Sequence, residues 1–196
     1  MANRVLWAIM VSLPLLVAEA QTIPTQQRVV VLPRGALTRI PSPDQKWALI
    51  FECPNDCAER RLWIERRKTH ARRMVREFER SLSISWAPDS QSFFIDDGWG
   101  SDGSDSYVYD SHTLHARNLA DTIVARDPRA DRYLKAGHAY LQAKRWISSH
   151  ELLVTLFGHF DEPPPRGFRR SFTLRYRVDL RGNVHKVFER SGEDPR

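Results

Sequence analysis

Shifted by 45 positions, the middle of this chain falls on itself without a gap. Pro43-Asp44 meets Pro88-Asp89, Ile50 meets Ile95, Glu65 meets Asp110 and Leu37 meets Leu82, while His70-Ala71-Arg72 meets His115-Ala116-Arg117. The matches cluster at a turn and at a strand end. In both copies a Pro-Asp turn leads into an apolar strand, Trp47 to Phe51 and then Phe93 to Ile95. A long loop follows, then a second strand, Leu62 to Ile64 and Tyr107 to Tyr109, and another turn. A period of this length describes one supersecondary unit that cannot bury its apolar faces alone and must stack on a neighbour.

The turn sequences carry a resemblance. Ser42-Pro43-Asp44-Gln45-Lys46-Trp47-Ala48-Leu49-Ile50 and Ile84-Ser85-Trp86-Ala87-Pro88-Asp89-Ser90-Gln91-Ser92-Phe93-Phe94-Ile95 are similar to the TolB-type and WD-repeat-like β-propeller family. In that family an apolar strand leads through a Ser-Pro-Asp-Gly-Lys turn into the next strand. Gln45 and Ser90 stand where the family has its turn glycine. A degenerate third copy follows. Trp146 to Val154 looks like Trp86 to Phe94 with its proline lost, and Phe172, Leu174, Tyr176 and Val178 alternate with polar residues as a half-buried strand does.

The expected fold is therefore mainly β, an antiparallel, blade-like β-meander of incomplete-propeller or sandwich-like form, with a short helical insertion. Its units span about 36–80, 81–119 and 138–190, with the insertion at 120–137, a linker at 21–35 and a disordered tail at 191–196. Within the insertion, Asp121 is a candidate helix cap, and Asp127-Pro128 a second helix start. Asp161 to Gly167, with three consecutive prolines, reads as a stiff loop. Glu59 to Arg80 has a rival helical reading, because Leu62, Met74 and Phe78 share a helical face; the gapless alignment favours strand, turn, strand. Three units are too few for a closed ring, which leaves an open array or a ring completed by a second copy.

The N-terminus reads as an export signal. Arg4 precedes an apolar run from Val5 to Val17, and Ala18-Glu19-Ala20 places cleavage between Ala20 and Gln21. That run is too short to span a bilayer; the alternative is an uncleaved anchor. A secreted or periplasmic destination suits the two cysteines. Cys53 and Cys57 flank the turn-forming Pro54-Asn55-Asp56, so a disulfide is expected rather than a redox pair or half a zinc site.

Charge is segregated. Glu59 to Arg80 holds nine Arg or Lys and four Glu, whereas Asp96 to Asp110 holds five Asp and no basic residue, in a chain of net charge +6. The basic segment suits a protein or anionic glycan partner, not nucleic acid in an exported protein; the alternative is a solvated strand face paired to the acidic loop.

Chemical motifs mostly fail. Gly98-Trp99-Gly100-Ser101-Asp102-Gly103 satisfies G-x-G-x-x-G, but strands flank it and its aspartates would repel a phosphate. The same loop is the one candidate for calcium, although Tyr107 stands where an EF-hand needs Glu; no other cofactor or metal is expected. His150-Glu151 lacks the second histidine of a zinc protease, since Val154 occupies its place. No Gly-x-Ser-x-Gly elbow is present. The expected binding residues are Asp96, Asp97, Trp99, Asp102 and Asp105. The expected function is that of an exported noncatalytic binding or scaffold protein of unknown ligand, with a homo-oligomer left open; a small exported hydrolase with a site assembled from distant residues is the alternative.

Overall fold

A computed structural model describes residues 21–22, 29–33, 35–54, 59–160 and 168–195. The expected leader, Cys57 and the Asp161 to Gly167 loop lie outside the described residues. The chain is mainly β and antiparallel. Two short strands, β1 (Gln21–Thr22) and β2 (Val30–Leu32), lie in the segment read from sequence as a linker. A first meander follows: β3 (Leu37–Pro41), β4 (Trp47–Glu52), β5 (Arg60–Arg66) and β6 (Ala71–Phe78). The second is β7 (Ser81–Trp86), β8 (Ser92–Gly98), β9 (Gly103–Asp110) and β10 (Ala116–Asn118). Then come α1 (Leu119–Val124), a 3-10 turn at Pro128–Ala130 and α2 (Asp131–Leu134). The third meander is β11 (His138–Trp146), β12 (Glu151–His159), β13 (Phe168–Asp179) and β14 (Val184–Pro195). The ambiguous stretch 59–80 is thus strand, turn, strand. The expected tail is also corrected, because β14 continues through Pro195 along β13.

The three meanders stack face to face, and the period-two alternation of each strand supplies two apolar faces. Between the first and second lie Leu49, Phe51, Leu62, Ile64, Ile84 and Phe93, all buried. Between the second and third lie Phe94, Leu141, Leu156, Leu174 and Tyr176, closed at one end by Leu119, Ile123 and Tyr133 from the helical insertion. α1 is capped by Asn118, whose side chain accepts from the Ala120 N–H at 2.7 Å. Asp121, the cap expected from sequence, sits instead in the first turn, where its charge opposes the helix dipole's positive end. Asp127 precedes the 3-10 turn without capping it; its carboxylate accepts from the Tyr176 hydroxyl at 3.1 Å.

The same bonds recur 45 residues apart. Ser42 N–H donates to Trp47 O at 2.9 Å, and Ala87 N–H to Ser92 O at 2.8 Å. Gln45 N–H donates to Ser42 O, and Ser90 N–H to Ala87 O, both at 3.0 Å. The Asp44 and Asp89 carboxylates accept from the N–H two residues on, each at 3.0 Å, the usual stabilisation of such turns. Gln45 (φ 61°) and Ser90 (φ 65°) take the left-handed conformation that glycine adopts freely. Tryptophans tie the units together. Trp86 donates its indole N–H to Ile40 O at 3.1 Å, and Trp146 donates to Ser85 O at 3.2 Å. Ser85 is 45 residues beyond Ile40, whereas Trp146 is 60 beyond Trp86, so the acceptors keep the 45-residue spacing and the donors do not.

Candidate functional site

The five residues singled out from sequence occupy one hairpin, β8–β9, yet the fold sends them in three directions. Asp96 and Asp97 are consecutive on β8 and so face opposite sides of the sheet. Asp96 is 6% exposed and points toward the third meander. Its Oδ1 accepts from the Ser106 hydroxyl at 2.6 Å and from the Ala143 N–H at 2.8 Å. The reason lies in the backbone. β11 pairs with β9 only through Ala139–Gly103 and Tyr140–Ser104, after which the two strands separate. Side chains then take over the ladder: Ser104 Oγ donates to Leu141 O at 3.1 Å, and Asp96 receives Ala143 N–H. A buried backbone N–H without an acceptor is costly, and Asp96 supplies one. Burial in return pushes its carboxyl up to about 7, against the lowering effect of Ser106, Ala143 N–H and Lys144.

Asp97 faces the first meander, 7% exposed, and pairs with Arg76 at 2.9 Å. Burial raises its pKa, Arg76 opposes the rise, and Asp105, directly across the ladder, adds to it. The Arg76 guanidinium lies over the Tyr107 ring, 4.7 Å from its centre. Asp96 and Asp97 thus tie the second meander to the third and to the first, and both side chains are buried. Among the described residues, no group of three or more His, Cys, Asp or Glu side chains is arranged to hold a metal ion.

Trp99 and Asp102 remain at the hairpin tip. Trp99 is 50% exposed. Its ring lies across Gly103, where an added Cβ would come within 2.4 Å of the indole and 2.8 Å of Ala139 O, so only glycine permits this approach. The Tyr140 hydroxyl donates to Ser101 O and ties the tip to β11. Beside it the β11–β12 ladder carries two ring pairs on one face. Tyr140 stacks on Phe157 at 5.2 Å, and His138 on His159 at 4.2 Å. His138 Nδ1 lies 3.4 Å from Asp102 Oδ1. Gly158 makes this register tight, because a Cβ there would meet His138 O at 1.9 Å. The result is a half-exposed aromatic surface braced by two strands and a hairpin. Of the residues singled out from sequence, Trp99 and Asp102 lie at this surface; Tyr140, Phe157 and the histidine pair beside them carry no motif in the sequence. Their signal was the alternation of His138, Tyr140 and Gln142 with Ala139, Leu141 and Ala143.

Most basic residues of 59–80 are committed to partners. Glu65, buried at 1%, receives Arg39 at 2.7 Å and Arg72 at 2.8 Å, with His70 at 3.5 Å. Burial alone would raise its pKa, but these arginines hold it down at about 2. Arg61 meets Glu59 and Glu77, and Arg73 donates to Ser111 O and His112 O of the second meander. Cys53 is buried at the end of β4, and no free cysteine occurs among the described residues.

No protein-family model and no curated protein matches the chain. Among solved structures it is similar to the β-propeller domain of the Trilobed protease from Pyrococcus furiosus, at 16% identity over 78% of this chain and 43% of that one, with a TM-score of 0.48. It is also similar to the acylaminoacyl peptidase of Pyrococcus horikoshii, at 14% identity over 75% and 23% of the two chains, TM-score 0.41. TolB from Acinetobacter baumannii matches at 11% identity over 85% and 45%, TM-score 0.27. The chain spans less than half the length of each. No helix among the described residues is long and apolar enough to cross a membrane.

Proposed function

We propose that this chain is an exported, noncatalytic binding module of TolB-type and WD-like blade units, whose partner docks on the Trp99 surface. The observation that carries the reading is the rigid exposure of Trp99. A large ring held half in solvent by a glycine, beside stacked Tyr140 and Phe157, offers contact area at little entropic cost. Such a surface suits a protein loop or a sugar ring. The blade assignment is supported by the Pro-Asp turns, their left-handed Gln45 and Ser90, and the repeated tryptophan latch. Export is supported by the signal pattern of Arg4, the apolar run Val5 to Val17 and Ala18-Glu19-Ala20.

The decisive experiment is cross-linked affinity capture from cell-envelope and medium fractions, comparing the parent with Trp99→Ala and Asp102→Ala. Asp96 and Asp97 stay unchanged, because replacing them would loosen the fold. A stoichiometric partner captured by the parent and lost with Trp99→Ala supports the proposal. A partner retained by both variants moves the site elsewhere. Mass spectrometry tests the export reading on the same sample: the mature N-terminus is expected at Gln21 and no thiol should react under denaturing conditions, since Cys53 and Cys57 would be joined. Retention of Met1, or two titratable thiols, counts against it.

A further inference from the structure

A second surface, away from the Trp99 hairpin, carries an unbalanced charge. β10, α1 and the turn between β13 and β14 border a cleft of about 400 Å³ that is open to solvent. Arg117, Arg126 and Arg181 line it with His115, and Asp121 is the one acidic residue among its lining. Elsewhere several arginines are matched to carboxylates, as at Arg39, Arg61, Arg72, Arg76 and Arg177, while Arg73 donates to backbone carbonyls. The three cleft arginines make no ion pair among the described residues. Two are nonetheless held in place: Arg117 donates to Leu180 O, and Arg126 Nε donates to Gly182 O at 3.0 Å. The turn they grip is itself pinned, with Arg181 N–H donating to Asp179 Oδ1 at 2.7 Å and Gly182 N–H to Asp179 O at 2.9 Å. Backbone carbonyls thus orient the Arg117 and Arg126 guanidinium groups without neutralising them, leaving further N–H donors on each.

We infer that this cleft binds a multiply charged oxyanion, a phosphate or sulfate group carried by a small molecule or a glycan. A guanidinium presents paired donors that match two oxygens of such a group, and pre-orientation lowers the entropy lost on binding. The volume is that of a small-ligand site. The inference is independent of the Trp99 surface, so failure of partner capture leaves it standing.

Isothermal titration of the mature chain with inorganic pyrophosphate, and separately with a sulfated disaccharide, tests it. One site is expected, weakened about tenfold or more by Arg126→Ala combined with Arg181→Ala. It should be unchanged by Arg66→Ala combined with Lys68→Ala in the other basic region. Arg126→Lys combined with Arg181→Lys (the lysine pair) keeps the charge but loses the fork, and is expected to bind more weakly than the parent. Circular dichroism on the same samples confirms that the variants fold. Binding of pyrophosphate alone identifies a small phosphate ligand, and binding of the disaccharide alone an anionic glycan. No heat from either ligand, equal losses in both alanine pairs, or full retention by the lysine pair overturns the inference.

Discussion

Asp96 and Glu65 are both buried carboxylates, and their surroundings drive them in opposite directions. Asp96 accepts two hydrogen bonds but has no adjacent cation in direct contact, so its folded pKa rises from 3.8 to about 7. The folded state then holds a proton that the unfolded chain releases, and stability attributable to Asp96 falls as pH climbs from about 4 to 7, by at most about 1.4 kcal/mol per unit. Asp96→Asn keeps the acceptor for Ala143 N–H and removes this dependence. Urea unfolding of parent and variant at pH 4.5 and pH 8 should show the variant gaining on the parent at the higher pH; a constant difference would refute the assignment. Glu65 runs the other way. With its pKa lowered from 4.5 to about 2 by two arginines, its contribution is complete above about pH 4.5 and is lost as pH falls toward 2. Glu65→Gln is expected to cost about 3 kcal/mol at neutral pH and little at pH 2, by the same unfolding measurement. The left-handed pair offers a third contrast. Gln45→Gly relieves a strained backbone, gives up an exposed hydrogen bond from Arg67 to the Gln45 side chain, and should stabilise by up to about 1 kcal/mol. Ser90→Gly also removes the hydroxyl that accepts from Asp44 N–H at 2.9 Å, so its gain should be cancelled.

At the scale of strands and turns, the repeating latch is the feature with measurable weight. Trp86→Phe and Trp146→Phe keep most of the buried ring but leave Ile40 O or Ser85 O without its indole donor, at an expected cost of about 1 kcal/mol each. The two bonds lie in different interfaces, so the double variant should be nearly additive in denaturant unfolding. This level was also the most legible in sequence. Pro43-Asp44 and Pro88-Asp89 marked the turns, and Trp47 to Phe51 marked a strand, because turn chemistry and period-two alternation act locally. The 59–80 stretch needed the alignment, since arginine and glutamate favour helix on propensity alone; what decides it is Leu62 and Ile64 packing against the second meander. The site was half legible. Aspartate clustering at 96–105 looked like a ligand surface, but which carboxylate is buried depends on where β11 departs from β9, a long-range fact that no local pattern encodes. The cleft arginines 117, 126 and 181 are far apart in sequence and meet only through the insertion and the last turn.

Seen as a whole molecule, the stack has two outer faces, and both carry charged side chains beside exposed apolar ones such as Met74 and Phe188. On the first meander, Glu65 with Arg39 and Arg72 covers the side opposite the core. On the third, Arg177 pairs with Glu151 at 2.7 Å, Arg175 lies over Phe188 and Lys144 over Phe157. Charged side chains spread over both terminal faces oppose the stacking of a second whole molecule. Sedimentation of the mature chain is therefore expected to give a monomer, and a concentration-dependent dimer would revive the two-chain ring.

The tryptophan latch also has a direction. Each later unit supplies the indole, and each earlier unit supplies the carbonyl just ahead of the matching position. In the first meander that position is Pro41, which has no side-chain donor; in the third, the equivalent carbonyl belongs to Arg145, next to Trp146. A duplicated copy of the third meander added at the C-terminus would arrive with a donor aimed at a ready acceptor. The first meander, joined back to the third, would bring only a proline. Descent by tandem duplication can lengthen this chain from its far end, but its own first unit is not equipped to close the circle.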